Sequence, residues 1–166
     1  MAVVSDEVFG GRVVRTLGWA GLIDRVLMTS LPLIAIAFIL NVPQYLNLRV
    51  WAEQYLALFL GFILVSIFLS RPASPNAPQD KVPWYDVVLA IASAATSGFV
   101  VIAWEQIVTE GSLITPGRVV LAIAAIVTIM EGTRRLFGWT LVILVGLFIF
   151  YGLFTELFPG PFYGKG

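Results

Sequence analysis

The sequence contains neither cysteine nor histidine. Without thiols there is no disulfide, no thiolate nucleophile and no soft-metal site; without imidazole there is no histidine general base and no axial haem ligand. Charge is scarce as well. Only 12% of the 166 residues are charged, against about a quarter in soluble domains. Ten acids balance ten bases, so the formal net charge is zero and nothing marks a nucleic-acid surface. The acids are scattered without ligand spacing, and no metal or other cofactor is expected. A cleavable leader is not expected either, because Asp6, Glu7, Arg12 and Arg15 interrupt the place where a compact apolar region would stand.

What is present is apolar residue: 59% of the chain, with a mean hydropathy of +0.94. Run lengths predict an all-α, polytopic membrane protein of about five transmembrane helices, preceded by a short N-terminal interfacial helix. Residues 1–21 form the interfacial segment, 22–157 the transmembrane domain and 158–166 a rigid aromatic tail. Within 5–20, Phe9, Val13, Val14 and Leu17 share a face suited to lying among headgroups.

The expected spans are 22–41, 51–70, 84–104, 116–135 and 136–156. Asp24 and Arg25 sit at the mouth of the first, which contains Pro32, read as a kink that serves packing or as a hinge. A turn with Pro43 and Asn47 leads to the second, where Arg49 and Glu53 flank Trp51. Four prolines within 71–83 describe an extended solvent-facing linker. The third span opens on Trp84 and closes on Trp104. Its Ala90, Ala94 and Gly98 form a row of small residues of the kind that lets another helix come close, with Ser93 and Ser97 able to hydrogen-bond across. Thr115-Pro116 reads as N-cap and first helical residue of the fourth span. The uncharged interior of that span, 119–130, is short, so Arg118, Arg134 and Arg135 must snorkel to the interfaces. Ala124, Thr128 and Gly132 make a second small row.

The chain turns on the stretch Glu131-Gly132-Thr133-Arg134-Arg135-Leu136-Phe137-Gly138-Trp139. One helix carried through the apolar runs on either side would be about twice as long as a ~30 Å hydrocarbon layer requires. It would also leave Glu131, Arg134 and Arg135 at mid-depth, where each charge costs several kcal/mol. The helix therefore breaks here, with the charged corner at a membrane face. Glu131 can pair with either arginine across one turn, Gly138 lets the chain reverse, and Trp139 suits the interface. An ordinary positively charged loop between two spans fits the same residues.

Five spans put the N-terminus, the 71–83 linker and the Glu131 corner on one side. That side holds seven basic residues (Arg12, Arg15, Arg25, Arg71, Lys81, Arg134, Arg135) against three on the other (Arg49, Arg118, Lys165). The positive-inside rule then predicts a cytoplasmic N-terminus and a C-terminus outside. No ionisable residue falls in the central third of any expected span, and no inverted repeat is evident, so the chain alone makes a poor carrier. Charge pairs such as Arg49/Glu53 and Asp24/Arg25 fit intersubunit contacts or simple interface anchors.

The run from Val120 through Glu131-Gly-Thr-Arg-Arg135 to Gly138-Trp139, with an aromatic span and Pro159-Gly160 after it, resembles the small membrane subunit of tripartite ATP-independent periplasmic (TRAP) transporters, nearest to the TAXI-type branch. Ile23-Asp24-Arg25 and Trp84-Tyr85-Asp86 fit the same pattern. Gly132 stands where that pattern has alanine, a change expected to loosen the corner. The resemblance covers most of the chain from about residue 20 and is specific at 131–139. It implies a multi-pass protein of the bacterial inner membrane, N-terminus cytoplasmic and C-terminus periplasmic. It also implies partners: a large membrane subunit that binds solute and sodium, and a periplasmic substrate-binding protein that delivers an organic acid or similar small solute. The chain would then be a non-catalytic brace with no catalytic, metal or substrate-binding residue of its own. Its structural and interface residues would be Glu131, Arg134, Arg135, Gly138, Trp139, Asp24, Arg25, Ala90, Ala94 and Gly98. The alternative from a different class is a self-contained homo-oligomeric carrier or channel, for which Ser93, Thr96 and Ser97 are the candidate pore lining.

Overall fold

A computed structural model of the chain describes residues 18–74, 82–111 and 114–154, and all the regular structure in them is helical. The elements are α1 (Gly18–Ile39), α2 (Val42–Tyr45), α3 (Ala52–Ser70), α4 (Trp84–Thr109), α5 (Pro116–Phe137) and α6 (Trp139–Leu153). The expected interfacial helix, apart from residues 18–20, lies outside the described residues, as do 75–81 of the linker and the 158–166 tail. Among the described residues three helices, α1, α3 and α4, are long and apolar enough to cross a membrane. Their 22, 19 and 26 residues correspond to roughly 33, 28 and 39 Å of helix. The chain is thus built as a membrane-embedded helical protein.

Helix α3 is the hub. It packs most extensively on α4, then on α1, and also meets α5; α6 packs on α5. The second half of α3 is the buried half, with Leu64, Ile67, Phe68 and Leu69 joined by Ala20 of α1 and Ala90 of α4. Two close approaches set the spacing. A Cβ added at Gly61 would lie 2.7 Å from Ser97 Cβ, so α3 meets α4 where only a hydrogen fits. A Cβ at Gly132 would lie 2.7 Å from Leu64 Cδ2, so glycine there makes room for a core leucine. Gly132 thereby lets Leu64 of α3 pack against α5.

The turns follow local chemistry. Asn41 and Asn47, both at φ 54°, bracket the one-turn α2; asparagine tolerates this left-handed region better than most residues. Pro32 stands inside α1 and the helix continues on both sides of it, with Ser30 Oγ donating to Leu27 C=O at 2.8 Å. Thr115 occupies the N-cap position before Pro116, but its hydroxyl makes no cap; its carbonyl accepts from Val119 N–H at 3.2 Å. Gly138, at φ 81° and ψ −172°, separates α5 from α6 in a conformation that a side chain resists.

Helix boundaries differ from the expected spans in instructive ways. α4 runs five residues past 104, and α6 begins three residues after 136. The expected snorkelling of the α5 arginines does not occur at Arg135, which is buried. It has found a carboxylate inside the bundle instead. Arg118, at the other end of α5, reaches back to Glu110 at 2.7 Å.

Candidate functional site: a charge cluster at one end of the bundle

The last turns of α5 carry Glu131, Arg134 and Arg135, and helical spacing brings them together. Arg134 grips both carboxylate oxygens of Glu131, through Nε to Oε2 at 2.7 Å and Nη2 to Oε1 at 2.6 Å. Arg135 Nε donates to Oε1 at 2.9 Å. The basic residues at the C-terminal end of α5 also oppose the negative pole of the helix.

Arg135 extends the cluster across the bundle. Its Nη2 lies 2.6 Å from Asp86 Oδ1, and the two side chains are 1% and 0% exposed. Its Nη1 donates to the carbonyl of Arg71 at 2.9 Å, and its guanidinium sits 4.9 Å from the ring centre of Phe68. Asp86 occupies the first turn of α4, where the helix pole favours a carboxylate. Arg134 reaches the carbonyl of Ala73 at 3.3 Å and lies 5.5 Å over Trp139. Nearby, Ser66 Oγ donates to Asp24 Oδ1, tying α1 to the same end of α3.

The start of α1, the end of α3, the start of α4 and the end of α5 are thus joined by polar contacts. Removing two charges from water costs several kcal/mol per ion, and only close pairing with further hydrogen bonds offsets it. Here the fork of Arg135 meets Asp86, Glu131 and a backbone carbonyl together. Two acids and two arginines leave the cluster electrically neutral. The cluster joins helix ends, and among the described residues no group of three or more potential ligands could hold a metal.

Toward mid-bundle, hydroxyls take over. Ser93, Thr96 and Thr128 are buried around a cavity of about 70 Å³ between α3, α4 and α5. Each donates to its own helix, to Leu89, Ala92 and Ala124 C=O at 2.8, 2.9 and 2.9 Å, and Ser97 does the same to Ser93 C=O at 2.7 Å. Satisfied in this way, they pack as small residues.

The residues singled out from sequence divide clearly. Glu131, Arg134, Arg135, Gly138 and Trp139 converge, and Asp24 joins the same end through Ser66. Arg25 is exposed beside it. Of the first small row only Ala90 is in the core; Ala94 is exposed and Gly98 has nothing within 4 Å of its would-be Cβ. The close α3–α4 contact runs one position over, along Ser93 and Ser97, because Gly61 faces Ser97. Asp86, Ser66 and Phe68 are the residues sequence reasoning missed as members of this cluster. The usable signal was parity: an acid opening the third span and an arginine closing the fourth fall at the same end. Compared with models of known protein families, with curated proteins and with solved structures, the chain matches none.

Proposed function

We propose that this chain is a non-catalytic scaffold, the small membrane subunit of a TRAP-type sodium-coupled permease that imports an organic acid or similar small solute. In this reading α1, α3, α4, α5 and α6 all cross the bacterial inner membrane. The clustered end faces the cytoplasm, and a large membrane subunit with a periplasmic binding protein handles solute. The observation that carries it is the closure of the charge cluster on itself. Asp86, Arg135, Glu131 and Arg134 are bound to one another and to the Arg71 and Ala73 carbonyls, so the charges hold helices together. The inward hydroxyls, each donating to its own helix, favour a packing role over a pore lining. The resemblance at 131–139 supports assigning the brace to that family.

The test is recovery of the tagged chain from native membranes, followed by reconstitution. The expected result is co-purification with a much larger polytopic protein, and no sodium-driven solute uptake by the lone chain in proteoliposomes. Robust uptake by the lone chain would overturn the assignment.

A further inference from the structure

Two clefts meet at Arg49, at the end of the bundle away from the Asp86–Arg135 cluster. One, of about 310 Å³, is apolar and lies between the end of α1, the start of α3 and α4; Ala37 and Leu58 line it. Phe38 and Tyr55 stack face to face along it, ring centres 4.1 Å apart. The other, of about 350 Å³, opens among Gln44, Asn47 and Trp51. Arg49 and Val50 line both.

Arg49 is exposed and, among the described residues, enters no ion pair; Glu53, four positions on, does not engage it. The amide of Gln54, also on the apolar cleft, is already committed. Its Nε2 donates to Val101 C=O at 2.7 Å and its Oε1 accepts from Trp51 N–H at 2.9 Å. An uncommitted guanidinium therefore stands where an oily slot joins a polar opening. The slot is walled by the three helices apolar enough to cross a membrane.

We propose that these joined clefts hold one anionic phospholipid, its phosphate on Arg49 and an acyl chain in the apolar slot. Guanidinium and phosphate match in charge and in paired hydrogen-bond geometry. A free phosphate would use the polar opening alone; a lipid uses both. The inference rests on embedding in a bilayer and not on the transport reading, so either can fail without the other.

The test uses the purified full chain in neutral detergent, titrated with phosphatidylglycerol or with phosphatidylcholine of the same acyl chains, and read by native mass spectrometry. Phosphatidylglycerol is expected to bind preferentially. Arg49→Gln should weaken it about tenfold, in line with loss of a charge-assisted contact, while Arg49→Lys keeps part of the affinity. Ala37→Phe, which fills the slot without touching the charge, should weaken binding too. Arg25→Gln, removing an exposed arginine at the far end, should leave it unchanged. Equal binding of both lipids, wild-type binding by Arg49→Gln, or an equal loss in Arg25→Gln would overturn the site. Binding of inorganic phosphate alone at matching affinity would overturn the lipid in favour of a free anion.

Discussion

Arg135 shows what a single buried charge demands of its surroundings. Its side chain is 1% exposed and is met by Asp86, Glu131 and the Arg71 carbonyl. Arg135→Ala takes from buried Asp86 its 2.6 Å counter-charge and should destabilise the chain by about 3–5 kcal/mol, whereas Asp86→Ala leaves Arg135 paired with Glu131 and should cost less. The double change Asp86→Leu with Arg135→Met should recover much of that loss, because neither buried charge of the pair remains. Detergent-denaturation curves of the three variants measure the difference. A double variant as unstable as either single one would mean the pair matters for more than mutual neutralisation. Arg134, more exposed and held by Glu131, the Ala73 carbonyl and the face of Trp139, should cost less when truncated.

At the scale of helices, the glycines decide how close the elements come. Gly61→Ala should force α3 and α4 apart at Ser97, costing about 1–3 kcal/mol, whereas Gly98→Ala meets open space and should be tolerated. Thermal unfolding of both variants gives the contrast directly, and equal effects would contradict the packing described. Gly138→Ala should also destabilise, by roughly 1–3 kcal/mol, through its backbone conformation alone. Much of this level is readable in the sequence. Apolar run lengths mark α1, α3 and α4, the Glu131 pairings follow from helical spacing, and Gly138 marks the break. Which small row becomes a seam is not readable, since Ala90-Ala94-Gly98 and Ser93-Ser97 lie side by side on one helix. Only the partner, Gly61, distinguishes them. Asp86 and Arg135 are 49 positions apart, and no local rule connects them.

For the whole molecule, the cluster fixes which ends lie together, and the absence of native cysteine makes this easy to check. Single cysteines placed at Ser74 and Leu136 should react with an impermeant maleimide from the same face of sealed vesicles. Cysteines at Asn47 and Thr109 should react from the opposite face. With the proposed orientation, Ser74 and Leu136 label only from the cytoplasmic side. Labelling of Ser74 and Asn47 from one face would break the hairpin of α1 and α3.

Asp86 also imposes an order on biosynthesis. The ribosome makes α3 and α4 first, and the counter-charge for Asp86 emerges 49 residues later. At about 5–20 residues per second that is a wait of several seconds. During this interval Asp86 lacks the Arg135 guanidinium that meets it at 2.6 Å in the finished fold. A nascent chain arrested before α5 should therefore be degraded faster than one in which Asp86 has been replaced by leucine.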